Sequence, residues 1–471
     1  MSLSRPSIAI IGGGLAGLSA ALALREASAP LDITLYESKR STGGRAASFL
    51  DPQTGESVDY CQHVAMGCCT NLLSMMESVG LGESFTRHRE LMFFHRDHRP
   101  ARFGRSRLLP APFHLLPSLI GFPYLTWKQR YEIARATFAL MRARSADLLT
   151  TTAHDWLAAQ RQSPQSIRDY WEIVIASALG ESHERVSMAA ARKVFVDGFL
   201  ASRQACEVLV PKVPLAELFG NEVPKAVAGR RVNVQTATMV RSVEPCHGGS
   251  MRVELERAHV IFDHVILAVP SHRVGKLLSP KTAIAAGLPA DRFEKVPCSP
   301  ITGVHLWFDQ PILDRPHAVL VGTLAQWVFR RDPEHCIESG GHYAQVVISA
   351  SHRLREIDSQ QLIGQVVREL QHAFPMAATA KLIRSRIVSD PLAVFSLRPE
   401  VDALRPAART ALPCLHLAGD FVQTGWPATM EGAVISGRMA ASSLLEHLGR
   451  PPVLISPGLP RSLLSRWLIR P

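Results

Sequence analysis

The stretch Ile8-Ala9-Ile10-Ile11-Gly12-Gly13-Gly14-Leu15-Ala16-Gly17 narrows the possible folds more than any other part of this 471-residue chain. Its four apolar residues read as a buried strand, and the alanine- and leucine-rich run 15–27 reads as a helix. Gly12-x-Gly14-x-x-Gly17 joins the two. The first glycine permits a tight turn, the second lets a diphosphate approach the backbone, and the third packs helix on strand. The helix N-terminus then offers free N–H groups and a partial positive charge to that diphosphate. Residues 32–37 form a second strand, and Glu37 ends it twenty residues after Gly17, where an acid bonds a ribose hydroxyl. Such a β-α-β unit opens a doubly wound, Rossmann-like parallel sheet, so the expected fold class is α/β.

Gly43-Gly44-Arg45 follows closely. Adjacent glycines let the backbone pass near a ligand, and Arg45 can fork onto phosphate oxygens or cover a ring system. A nicotinamide cofactor has little use for this second loop, whereas the longer FAD molecule does. Near the other end, the strand 415–418 stops on Gly419-Asp420, ahead of a helix from about Met430 to Leu445. The Asp420 carboxylate is placed to accept hydrogen bonds from a ribityl chain, and the helix start to face the flavin pyrimidine edge. FAD is therefore the expected cofactor, held by both termini.

Between these ends, Val232–Val243 and Met251–Leu255 alternate around Gly248-Gly249 and predict an antiparallel ribbon, while 265–269 predicts a buried strand. Residues 91–204 read as helical and rich in Arg and Pro, with Lys128–Arg144 a helix, and 276–399 as mixed. The expected organisation is a discontinuous FAD-binding domain (1–90, 205–275 and 400–447) with an inserted α+β substrate domain (91–204 and 276–399). A basic tail, 448–471, follows. In that tail Leu463, Leu464, Trp467 and Leu468 share one helical arc that Ile469 leaves, predicting either a short interfacial helix or a frayed end.

Lys+Arg 52 against Asp+Glu 41 gives a formal +11, which favours anionic partners. No basic run interleaved with aromatics and no DNA-binding signature is present, so nucleic acid is excluded as a partner. The eight cysteines form no C-x-x-C pair, and no metal site is expected. No secretory signal precedes the glycines. Leu108–Trp127 lacks charge, but four prolines break it as a spanning helix, and arginines flank it. It suits a segment lying among lipid headgroups or the wall of an apolar tunnel. The expectation is a cytoplasmic protein, peripheral at the inner face of the membrane through 108–127 and the tail.

The combination of motifs resembles the FAD-dependent amine oxidase and phytoene desaturase superfamily. That resemblance implies cofactor contacts at Gly12, Gly14, Gly17, Glu37, Lys39, Gly44, Arg45, Val240, Gly419, Asp420 and Met430. "LLPAPFHLL", "VFVDGFLASRQACEVLVPKVPLAEL" and "LAGDFVQTGWPATMEGAVISGRMAA" resemble more narrowly the hydroxysqualene dehydroxylases, which reductively convert hydroxysqualene to squalene. A long-chain isoprenoid substrate is implied, and the electron donor stays open. Loss of water from an allylic alcohol calls for a general acid. His63, with Asp59 four residues upstream, is the candidate, beside a purely structural role for the same histidine. Trp426 reads first as core packing and second as a face for a developing cation. Alternatives are a desaturase or isomerase of polyprenoid hydrocarbons, an amine oxidase, and a non-catalytic prenyl-lipid carrier.

Overall fold

A computed structural model describes residues 5–470 except 28–29, 230, 289–292, 294–295 and 331–340; Cys336 lies outside the described residues. The β-α-β unit forms as β1 (Ser7–Ile11), α1 (Leu15–Glu26) and β2 (Asp32–Tyr36). Further along come α2 (Thr70–Ser78), α3 (Trp127–Arg142), β3 (Val232–Gln235), β4 (His264–Leu267), β5 (Leu415–Leu417) and α4 (Met430–His447). The central sheet is parallel throughout, in the order β3-β2-β1-β4-β5. Every side chain of β4 is buried, as expected for a strand covered on both faces.

One expectation fails here. Val232–Val243 is not one arm of a ribbon: β3 pairs with β2 at the edge of the parallel sheet, with Val234 opposite Leu35. Residues 236–241 then leave that sheet, and the antiparallel ribbon is Ser242–Pro245, Met251–Glu254 and His259–Phe262. Short alternating strands carry the same period whether their partner is parallel or antiparallel, so the pattern alone does not choose.

Helix α1 is buried on all sides from Leu15 to Leu24. Its alanines and glycine allow α4 to lie directly on it: a Cβ at Gly437 would sit 2.2 Å from the Ala16 carbonyl oxygen. The Ser19 hydroxyl donates to Val434 O at 2.9 Å across the same contact. The two ends of the chain are thereby locked together.

A second, seven-stranded sheet runs in the order Leu382–Phe395, Cys298–Phe308, His342–Ser349, Trp327–Arg330, His317–Val321, Glu90–His95 and Ala101–Gly104. Its last two strands come from a region read as helical. Leu91 and Phe93 give this hairpin the apolar face that joins the main core and lines the cavity, Phe94 packs on the opposite side, and Val319 pairs in parallel with Phe93. One side of the sheet packs on the helix Ser359–Ala373 as a separate core. The tail is docked rather than frayed: Ser456 N donates to Asn71 Oδ1 at 2.8 Å, and a helix forms at Leu463–Leu468.

Candidate active site

The glycine turn separates into packing glycines and a ligand-facing one. A Cβ at Gly17 would meet Gly12 O at 1.9 Å, and one at Gly12, whose φ is +110°, would meet Ala268 O at 2.4 Å. Neither position has room for a side chain. At Gly14 a methyl group would find its nearest neighbour, Gly44 Cα, 3.8 Å away. Gly14 N-caps α1 with no side chain covering the first-turn N–H groups. Glu37 is held facing this turn, accepting from Gly13 N at 2.7 Å and Lys39 N at 2.8 Å. The Lys39 side chain is exposed, and its carbonyl takes the Ala237 N–H at 2.7 Å. That bond brings the 236–241 loop, with buried Val240, across the end of β2.

The second glycine loop closes on the first. Gly43 N donates to Gly13 O at 2.8 Å, and a Cβ at Gly44 would lie 3.0 Å from Gly14 Cα. Directly after it, Arg45 Nη2 reaches Asp420 Oδ1 at 2.6 Å, joining residues 375 apart in sequence. Burial alone would lower the Arg45 pKa, but Asp420 outweighs it and raises the guanidinium above its ordinary value. Gly419 N donates to Ser436 Oγ of α4 at 2.7 Å. Met430 opens α4, capped by Thr429 Oγ1 accepting from Gly432 N at 3.1 Å.

Two positioning residues were not legible in the sequence. Buried Arg405 donates to Val422 O at 2.6 Å and Trp426 O at 2.8 Å, gathering the loop after Asp420. Fully buried Glu431 accepts from Asn71 N at 2.9 Å and Leu72 N at 2.8 Å, tying the start of α4 to the start of α2. Burial raises its pKa against the pull of those bonds. Arg405 lies outside the motifs and Glu431 inside the 417–441 stretch, but each is placed by carbonyls or amides that only the fold brings near. Trp426 packs on the core, and the Lys193 ammonium stands 4.8 Å from its ring centre.

Segment 59–63 is pinned to the second sheet: Gln345 Oε1 accepts from Gln62 N at 2.7 Å, and Gln345 Nε2 donates to Asp59 O at 3.0 Å. Asp59 Oδ1 takes the Ser48 hydroxyl at 2.6 Å and Leu215 N at 2.9 Å, which makes it a brace for this segment. His63 Nδ1 donates to Cys61 O at 2.8 Å. Burial, helped by the nearby Arg45 charge and opposed by that hydrogen bond, holds the His63 pKa below its ordinary value. Neutral His63 therefore presents Nε2 as an acceptor.

From Gln62 and Val64 a cavity extends between the second sheet and the helices, with about 1210 Å³ of space, part of it open to solvent. Its lining is apolar and aromatic, with Phe93, Phe122, Tyr170, Phe195 and Phe199 among its walls. Two π-helical turns, Ile167–Trp171 and Lys193–Leu200, contribute Tyr170, Phe195 and Phe199, in keeping with the habit of such turns to occur at functional sites. Among the described residues no group of His, Cys, Asp or Glu is arranged to hold a metal.

A parallel sheet with a glycine turn, an acid bonded to that turn and a second glycine loop meeting an acid from the far terminus belongs with an FAD-dependent oxidoreductase. The open cradle between Gly14 and Gly44 and the uncapped N-terminus of α1 suit that cofactor. The chain belongs to the flavin containing amine oxidoreductase family, whose model matches residues 15–445. It is 25% identical over 446 residues to a hydroxysqualene dehydroxylase of Zymomonas mobilis, covering 93% of this chain and 99% of that protein. It is 23% identical over 461 residues to a 15-cis-phytoene desaturase of Narcissus pseudonarcissus, covering 93% and 79%. An oxidoreductase from Methanosarcina mazei shares the fold, with a TM-score of 0.69 at 15% identity, over 92% of this chain and 98% of that one.

Proposed function

We propose that this enzyme reductively removes the hydroxyl group of hydroxysqualene and releases squalene. The observation that carries the reading is the aromatic, apolar cavity walled by Gln62 and Val64, the neighbours of His63, which feels the Arg45 charge, in a chain similar along nearly its whole length to a hydroxysqualene dehydroxylase. A cavity with so few polar groups suits a hydrocarbon chain and keeps water from the reacting carbon. We read the second sheet and the helices of 127–200 as the part that holds substrate.

Once bound and reduced by an external two-electron donor, FAD would supply the hydride, a proton with two electrons. The carbon–oxygen bond breaks, the carbon gains that hydride, and the oxygen leaves as water after taking one further proton. Delivering that proton is the task assigned to His63. Its Nδ1–H is committed to Cys61 O, so Nε2 is the ring atom left for the transferable proton and carries it only in the cationic form. Because the pKa is depressed, that form grows as pH falls. Asp59 acts indirectly, by bracing the segment.

The test is an anaerobic incubation of photoreduced holoenzyme with hydroxysqualene, with products identified by mass spectrometry. Squalene formed in step with flavin reoxidation is expected. Flavin that stays reduced with no squalene overturns the reading. Conjugated product from phytoene and oxidised enzyme places the protein instead with the desaturases it is also similar to.

A further inference from the structure

The outer side of the segment that walls the cavity is apolar too. Leu115, Phe122, Tyr124 and Thr137 face the cavity, while their neighbours Ile120, Trp127, Tyr131 and Phe138 are exposed, Trp127 and Tyr131 at 72% and 69%. Trp127, Tyr131 and Phe138 recur at helical spacing on α3 and form a single stripe along its outer face. Lys128, Arg130, Arg135 and Arg142 flank that stripe.

The tail completes this surface. Ser462 Oγ donates to Ala111 O at 2.6 Å, and Arg470 N donates to Met141 O at 2.9 Å, so the helix Leu463–Leu468 spans from one part of the segment to the end of α3. Ile469 is buried as the anchor, whereas Leu463 and Trp467 are exposed at 83% and 78%. An anchored helix that turns its large apolar side chains outward has them there for a partner.

Charge identifies that partner. Residues 102–144 and 461–470 contain eleven Arg and Lys against a single acid, Glu132, and Glu132 is buried. Arg102, Arg105 and Arg461 pair with Glu90, Glu207 and Asp197 from outside these segments, which leaves Arg107, Lys128, Arg130, Arg135, Arg142, Arg144, Arg466 and Arg470 as the cations of this face. Two copies meeting here would oppose like charges, whereas an anionic bilayer takes both features at once: aromatics settle at the headgroup level and Arg and Lys meet lipid phosphates. Among the described residues no helix is long and apolar enough to cross a membrane, so the contact is one of lying on the surface.

We propose that α3, the 108–126 segment and the C-terminal helix form one docking face for an anionic phospholipid bilayer. This holds whatever molecule the cavity takes. The test is flotation of full-length holoenzyme with phosphatidylcholine vesicles, with and without phosphatidylglycerol, at about 0.1 M salt. Wild type floats with the anionic vesicles. The combined variant Trp127→Ser, Tyr131→Ser and Trp467→Ser keeps its flavin and melting temperature and partitions at least about tenfold more weakly. A second variant, Lys128→Glu, Arg144→Glu and Arg466→Glu, loses the preference for phosphatidylglycerol. Failure of wild type to float, or flotation of the aromatic variant at the wild-type level, overturns the proposal. So does a wild-type dimer in sedimentation that the aromatic variant dissociates without changing vesicle binding.

Discussion

Around Gly12–Gly17 the site is made of backbone, whereas the cavity beside residues 62–64 is made of side chains. In the first region a missing Cβ, a carbonyl or an N–H sets each contact, and the tolerances fall to 1.9 Å at Gly17. In the second, aromatic rings from several elements share the work and stand at ordinary stacking separations, as in the Phe93–Phe122 pair with ring centres 5.4 Å apart. A backbone-built site fails at single positions. A side-chain-built cavity degrades gradually and can change its preferences without losing the fold.

The most severe way to break that contrast is at the turn itself. Gly17→Ala drives a methyl into Gly12 O, and we expect insoluble or colourless protein, scored by soluble yield and visible absorbance. Gly14→Ala sharpens the comparison, because its methyl clears the protein and enters only the cofactor's space. Folded protein with FAD affinity reduced at least about tenfold is expected from titration, one such factor being about 1.4 kcal/mol. If Gly14→Ala binds FAD as wild type does, the cradle is misassigned.

In the cavity, Ala178→Phe adds bulk to the lining. Its flavin content should equal wild type while kcat/KM for hydroxysqualene falls about tenfold or more, in line with the cost of overpacking. A loss of flavin instead would show that the two regions are not separable. Between them, Glu431→Gln keeps one acceptor and sets its amide NH2 against either the Leu72 N–H or the Asn71 donors. Urea unfolding should report a loss of about 1–3 kcal/mol.

The smallest effect comes from pH. Burial first, with neighbouring cations or histidines second, depresses His114 and His317 to about 4 and His416 to about 3. The unfolded chain, with histidines near about 6.5, then binds more protons than the native state. Stability is therefore full above that value and declines as pH falls toward about 4. Thermal unfolding across this interval checks the sign.

The same contrast explains what could be read in advance. Gly12, Gly14, Gly17, Glu37, Arg45 and Asp420 were legible because backbone geometry restricts which residue can occupy each place, and the structure does bring them together. Strand β3 was misplaced because four alternating residues say nothing about the partner. The hairpin 90–104 was hidden by its arginines, which sit on its outward side. The roles of Arg405 and Glu431 were not legible, although Glu431 stands in a quoted motif, since their partners are mostly main-chain groups brought near only by the fold. The helix of α3 was legible, but its aromatic stripe was not read from the sequence, because its exposure depends on which face the cavity occupies.

The contact of α1 with α4 through Gly437 has a consequence for biosynthesis. Helix α1 has no partner for the face that α4 covers until more than four hundred further residues have been made. The nucleotide turn must wait in an unfinished sheet, and early stop codons leave nothing able to retain a flavin.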